Sequence, residues 1–142
     1  MAKMPFEKLE VYQLSERLSD LIWDLSVKWR GFARDTVGKQ IVRASDSVGA
    51  NIAEGTGRGT AKDNCRFIQI ARGSLYGTVH FLRRAYRRKL LTAAQVNKLQ
   101  PIVAELGPRL NAYLSAVNKR YRRPLSASQR ERLVILPTSN HK

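Results

Sequence analysis

The chain has 142 residues, 43% of them hydrophobic, and a formal net charge of +15 at pH 7. This length and apolar content predict one folded domain with a single core and exclude a largely disordered chain. The single cysteine, Cys65, excludes an internal disulfide and favours a reducing cytoplasm as the location. We expect no signal peptide and no membrane span, because no apolar run approaches the roughly 20 residues that a membrane helix needs.

The positive charge is concentrated in the second part of the chain. Residues 1–54 contain 8 basic and 8 acidic side chains, whereas residues 55–142 contain 18 basic and 3 acidic ones. No acidic residue lies between Asp63 and Glu105. A field of one sign attracts polyanions such as nucleic acids. The alternative interpretation is a solvated basic surface that serves solubility.

The first predicted helix covers about residues 9–29, where apolar residues recur at three- and four-residue steps. An acidic line follows the opposite face: Glu16, Asp20 and Asp24. Tyr12 and Trp23 lie off the apolar stripe. They either pack against neighbouring loops or form a subunit interface, where aromatic anchors are enriched, and we expect the interface.

Helix 2 is predicted over residues 36–54, and the glycine-rich stretch 55–59 is predicted to end it. Thr60 then has the character of an N-cap, with Asp63 three residues later, so a long helix 3 is expected over residues 61–88.

Helix 3 is expected to have an apolar side and a basic side. The apolar side comprises Phe67, Ile68, Ala71, Leu75, Val79, Leu82, Ala85 and Tyr86. The basic side, an arc of roughly 160° at 100° per residue, comprises Lys62, Arg66, Arg72, Arg83, Arg84, Arg87 and Arg88.

Helix 4 is expected to begin with a capping box, Thr92 with Gln95, and a staple of Leu91 with Val96. Pro101 and the Gly107–Pro108 pair predict a kink or a break near Gly107. Four helices with short connections and no strand pattern predict an all-α, antiparallel, up-down-up-down four-helix bundle over residues 1–118.

Residues 119–142 are expected to form a basic, flexible C-terminal tail, because the apolar pattern stops at Lys119. The tail contains one apolar tetrad, residues 133–136. The tetrad is either a docking peptide for a partner or a segment that lies on the chain's own bundle.

The sequence offers no recognisable catalytic or metal-binding set. His80, His141 and Cys65 do not have the spacing of zinc ligands. The glycine-rich stretch follows a helix and lacks the ending of a phosphate-binding loop. We therefore expect no enzyme activity, no metal and no cofactor.

One stretch resembles a known family. Residues 43–55 read Arg-Ala-Ser-Asp-Ser-Val-Gly-Ala-Asn-Ile-Ala-Glu-Gly, and residues 6–13 read Phe-Glu-Lys-Leu-Glu-Val-Tyr-Gln. Over about residues 6–118 the chain is similar to bacterial four-helix-bundle proteins encoded in intervening sequences of large-subunit ribosomal RNA genes. A related protein is the accessory variability determinant of diversity-generating retroelements.

The resemblance implies a homopentamer that partners a reverse transcriptase and its RNA. Asn51, Glu54 and Arg58 match family positions, and we interpret them as polar groups that satisfy the end of helix 2 and the following loop. Gly77 stands where the family commonly has a glutamate, and the basic tail extends beyond the common core. Both departures favour a polyanion-binding accessory.

The predicted function is therefore non-catalytic capture of structured RNA, or of an RNA–DNA intermediate, through arginine and lysine contacts to phosphates. The expected contact residues are Arg58, Lys62, Arg66, Arg83, Arg84, Arg87, Arg88, Lys89, Lys119, Arg120, Arg122 and Arg123. The alternative is a protein-interaction scaffold, or a family member of unknown role, that binds an acidic partner.

Overall fold

The computed structural model describes residues 1–121 and 127–128, so most of the predicted tail, including its apolar tetrad, lies outside the described residues. Four long helices account for most of the structure: α1 (Glu10–Ser26), α2 (Lys39–Thr56), α3 (Ala61–Arg87) and α4 (Ala93–Tyr121). A short 3-10 helix, Pro5–Lys8, precedes α1.

The helices form the predicted antiparallel bundle. Consecutive helices pack on one another, and α1 closes the bundle by packing on α4. Each helix presents one apolar face to a common core, in which Leu18, Ile52, Ile68 and Leu106 have no measurable exposure. Burial of each such side chain contributes roughly 1.5–3 kcal/mol, so the shared core dominates the stability of the bundle.

The connection between α1 and α2 differs from the prediction. The first helix ends at Ser26, and helical backbone resumes at Gly31, which adopts the left-handed φ of 55°. A π-helical turn, Arg34–Gly38, then leads into α2. Thr36, the predicted start of helix 2, lies inside this turn, where its hydroxyl donates to the Phe32 carbonyl at 2.6 Å.

The helix before the glycine-rich stretch ends within that stretch, as predicted, but two residues later than Glu54. The helix continues through Gly55 to Thr56, and Gly55 is buried. A Cβ at Gly55 would lie 2.6 Å from Asn64 Oδ1 and 2.9 Å from Phe67 Cβ, so glycine permits close approach of α2 and α3. Gly59, with φ of 85°, makes the turn itself. Thr60 caps α3 as predicted, accepting from the Asp63 amide at 3.2 Å.

The capping box of α4 is confirmed. The Thr92 amide donates to Gln95 Oε1 at 2.9 Å, and the Gln95 amide donates to the Thr92 hydroxyl at 3.1 Å. The predicted break near Gly107 is absent. One continuous helix includes both Pro101 and Pro108. Both prolines lie on the exposed side, where water can satisfy the carbonyls that lose their intrahelical donors. The helix extends to Tyr121, the last described residue of this range.

Candidate nucleic-acid interface

The cations predicted to bind nucleic acid separate into two groups at opposite ends of the bundle. The first basic cluster surrounds the α2–α3 connection and the end of α4: Arg58, Lys62, Arg66, Lys119 and Arg120. The second basic cluster occupies the end of α3 and the following connection: Arg83, Arg84, Arg87, Arg88 and Lys89. Between Arg66 and Arg83 the α3 axis rises by about 25 Å.

The antiparallel order of the helices accounts for this division. Because α3 and α4 are antiparallel, the end of α4 lies beside the start of α3. Arg120 accordingly lines a small cavity with Gly55, Thr60 and Asn64. Lys119 and Arg120 therefore extend the first cluster and not the second. Arg122 and Arg123 lie outside the described residues.

Neither basic cluster is neutralised by a carboxylate among the residues that the structure describes. Nine of their ten side chains are exposed, and Arg84 is half-buried. None of the ten forms an ion pair with a described carboxylate. The ion pairs that do form involve Arg34 with Asp35, and Arg109 with Glu10 and Glu105. Unpaired exposed guanidinium groups remain available for bidentate contacts to phosphate oxygens.

Two arginines of the first cluster are positioned by an aromatic ring. The guanidinium carbons of Arg58 and Arg66 each lie 5.3 Å from the centroid of Phe67. The ring is only 8% exposed, so the core holds it in place. Cation–π contacts of this kind contribute about 0.5–1 kcal/mol at exposed sites and limit where the guanidinium groups can point. Arg58 therefore packs on α3, in contact with a ring and not with the polar groups at the end of α2.

The other two family positions do not satisfy the end of α2. Asn51 Nδ2 donates to the Ser47 carbonyl at 2.7 Å, one turn earlier in the same helix. The Glu54 side chain is exposed, and no described residue hydrogen-bonds or pairs with it. Arg72, predicted on the basic side, is half-buried and donates to Asn111 Oδ1 at 3.1 Å on α4.

The second cluster includes the one described non-glycine residue with a positive φ. Lys89 has φ of 62° and ends α3: its amide donates to the Tyr86 carbonyl at 3.0 Å, and the Leu90 amide donates to the Ala85 carbonyl at 2.8 Å. Glycine is preferred at this position of the motif, because the left-handed conformation costs other residues about 1–2 kcal/mol. Lysine at this position therefore adds a positive charge to the second cluster and lowers the stability of the turn that ends α3.

A groove that the sequence did not predict lies between the end of α3 and the start of α4. This α3–α4 groove has a volume of about 520 Å³. Its floor is apolar and its rim carries three arginines and two polar side chains. The floor comprises Val79, Leu82, Val96, Leu99 and Val103, and the rim comprises Arg83, Arg84, Arg87, Tyr86 and Gln100.

The groove explains why Tyr86 was wrongly placed in the core. Its side chain is 50% exposed at the rim, and Val79 and Leu82 are only partly buried. The apolar stripes of α3 and α4 are wider than the seam they share. A pattern of apolar residues indicates which side of a helix is apolar, but it does not show how much of that side a neighbour covers.

The two aromatic residues predicted at a subunit interface have different surroundings. Tyr12 is half-buried and packs edge-on against Phe6, with ring centroids 4.8 Å apart. Trp23 is 56% exposed on the outer face of α1. Their role between subunits stays a prediction.

Across the described ranges, no helix combines the length and apolar character that crossing a bilayer requires.

Comparison with known proteins identifies the family. A solved structure from Bacteroides thetaiotaomicron, described as a protein with unknown function from the S23 ribosomal protein family, matches with a TM-score of 0.66 at 23% sequence identity. The match covers 73% of this chain and 97% of that one, and it shows a shared fold. No curated protein matches the chain. Residues 7–112, most of the chain, match the 23S rRNA-intervening sequence protein family. The chain therefore belongs to the 23S rRNA-intervening sequence protein family.

Proposed function

We infer that the protein is a non-catalytic nucleic-acid-binding protein that captures structured RNA through its two basic clusters. The observation that carries this proposal is the set of ten described cations without a carboxylate partner, held on a rigid helical frame. Phosphate contacts from such side chains position a ligand without reading its sequence. The proposed ligand is therefore recognised by charge and shape.

The spacing of the clusters favours an extended ligand. A ligand that contacts both must span the roughly 25 Å between Arg66 and Arg83. The exposed aromatic side chains near the clusters are few, so stacking on unpaired bases contributes less than phosphate contacts in this proposal. A folded RNA, or an RNA–DNA intermediate, offers the rigid phosphate array that such a surface requires.

The resemblance to the accessory determinant of diversity-generating retroelements suggests further partners for this chain. A reverse transcriptase and a homopentameric assembly belong to the proposal as expectations from the resemblance. The family match bears on neither of them.

A second candidate function is a scaffold that binds an acidic partner protein. The α3–α4 groove favours it, because an apolar floor with an arginine rim suits an acidic amphipathic surface. The two functions differ in what the clusters contact: phosphates in the first and carboxylates in the second.

The test is the composition and mass of the particle purified from cells, with and without nuclease treatment. We expect nucleic acid to co-purify at low salt and the particle to lose mass and ultraviolet absorbance at 260 nm after nuclease. A particle that carries acidic protein and no nucleic acid would support the scaffold and contradict RNA capture.

A further inference from the structure

A small cavity lies where the α2–α3 connection meets the end of α4. It has a volume of about 240 Å³, less than the roughly 300–1,000 Å³ of a site that encloses a drug-sized ligand. We call it the connection cavity, and its lining includes Gly55, Gly59, Thr60, Ala61, Asn64 and Arg120. None of the described residues that line it is acidic. The connection cavity therefore suits one small polar group that carries negative charge.

The start of α3 supplies backbone donors at this cavity. The first amides of a helix have no acceptor within the helix. Thr60 satisfies two of them: its hydroxyl accepts from the Asp63 amide at 3.2 Å, and its carbonyl accepts from the Asn64 amide at 3.0 Å. The amides of Ala61 and Lys62 donate to no acceptor among the described residues. These two free amides and the partial positive charge of the helix end favour an anion here.

Basic side chains add to the positive potential around the connection cavity. Arg120 lines the cavity from the end of α4. Arg58 belongs to the connection itself, and Lys62 to the first turn of α3. None of these three cations pairs with a described carboxylate, and Asp63, the acid of the first turn, does not line the cavity. Backbone amides with a nearby guanidinium group are well suited to a phosphate.

Asn64 requires a different group, which is a hydrogen-bond donor. The residue is 9% exposed, and its Oδ1 is buried and accepts no hydrogen bond from a described atom. Its Nδ2 lies 3.5 Å from the Tyr113 hydroxyl on α4, whereas a Cβ added to Gly55 would lie 2.6 Å from its Oδ1. Because Gly55 also lines the connection cavity, the unsatisfied oxygen is located at the cavity wall. The last torsion of asparagine has a broad minimum, so a small rotation brings this oxygen to the cavity surface.

A phosphate alone does not satisfy both sides of the connection cavity. Its oxygens accept from the amides of Ala61 and Lys62, but an ionised phosphodiester has no hydrogen to donate to Asn64 Oδ1. A ligand that satisfies both sides has a hydroxyl group beside an anion. In RNA, each ribose carries a 2′-hydroxyl next to its 3′-phosphate, and DNA lacks this hydroxyl.

We propose that the connection cavity binds one ribose–phosphate unit of an RNA and thereby distinguishes RNA from DNA. The phosphate accepts from the amides of Ala61 and Lys62 and from Arg120, and the 2′-hydroxyl donates to Asn64 Oδ1. The inference rests on the proposed function, because the basic clusters hold the rest of the RNA. It adds a preference for the sugar, which contacts to phosphates alone do not provide.

The experiment compares two labelled hairpins of one sequence by fluorescence anisotropy. One hairpin is natural RNA, and the other carries fluorine in place of every 2′-hydroxyl. The fluorine preserves the A-form duplex and all phosphates but removes the donor. We expect the wild-type chain to bind the natural hairpin about two- to tenfold more tightly, which is the effect of one hydrogen bond. In the Asn64→Leu variant, whose side chain has a similar shape, this ratio should fall to about one.

The matched control is Asn51→Leu, the same substitution at a half-buried position of α2 that does not line the cavity. It should keep the wild-type ratio. Urea denaturation verifies that each variant is folded. Asn64→Ala, which adds no volume beside Gly55, provides a second variant and should also give a ratio of about one.

Two results would overturn the proposal: equal binding of both hairpins by the wild-type chain, or an unchanged preference in both folded Asn64 variants. Equal binding with a steep dependence on salt would reject the ribose contact and leave RNA capture by the basic clusters intact. Failure of the wild-type chain to bind either hairpin would contradict the ribose contact and the proposed function together.

Discussion

Neutralising the first basic cluster should lower the affinity for structured RNA at least about 100-fold near 50 mM salt, because five phosphate contacts are lost together. The variant replaces five side chains by glutamine: Arg58, Lys62, Arg66, Lys119 and Arg120. All five are exposed, so the substitutions leave the core of the bundle intact. Fluorescence anisotropy with a labelled folded RNA measures the dissociation constant.

The matched control changes the net charge by the same amount at other places. It replaces five exposed cations outside both clusters by glutamine: Arg17, Lys28, Lys39, Arg43 and Lys98. We expect a loss of affinity below about fivefold, since only the long-range field changes and salt screens that field. Equal losses in the two variants would mean that RNA responds to net charge alone, and the clusters would then have no special role.

Replacing Gly55 by alanine should lower the free energy of unfolding by about 1–3 kcal/mol, the usual cost of overpacking a core. The new methyl group would lie 2.6 Å from Asn64 Oδ1 and 2.9 Å from Phe67 Cβ. Asn64 Oδ1 is already buried without a hydrogen-bond partner among the described atoms, so the methyl group would crowd an oxygen that is already unsatisfied. Since Phe67 positions two arginines of the first cluster, we also expect weaker RNA binding.

Gly73→Ala is the control, because it is the same substitution on an exposed part of α3. No atom lies within 4 Å of a Cβ at Gly73, so alanine should stabilise the helix by about 0.5–1 kcal/mol. Urea denaturation measures both free energies. If Gly55→Ala proved as stable as Gly73→Ala, the close approach of α2 and α3 at Gly55 would not constrain the fold.

The helices were predictable because an apolar face at a period of 3.6 residues identifies both the element and its buried side. Helix caps are local in sequence, and the N-cap at Thr60 and the capping box at Thr92 formed as predicted. Gly55 was misinterpreted because glycine has two uses, ending a helix and admitting a neighbouring one. Only the partner helix shows which use applies.

The cations of the candidate site could be listed from the sequence, but their arrangement could not be predicted. The sequence identifies the cations, and their separation into two clusters follows from the antiparallel order of α3 and α4. The α3–α4 groove was missed because Tyr86, Val79 and Leu82 continue an apolar stripe that the neighbouring helix covers only in part. How much of the stripe is covered depends on the relative positions of two helices. The sequence of a single helix contains no pattern that shows it.

The salt dependence of RNA binding tests phosphate capture most directly. The logarithm of the association constant should fall linearly with the logarithm of salt concentration, with a slope of about −0.7 to −0.9 for each phosphate contacted. With ten available cations, we expect the wild-type chain to lose at least about 1,000-fold in affinity between about 50 and 200 mM salt. Neutralising the first basic cluster should make the slope shallower by several units. An affinity for RNA that stays flat across that range would contradict the proposed function.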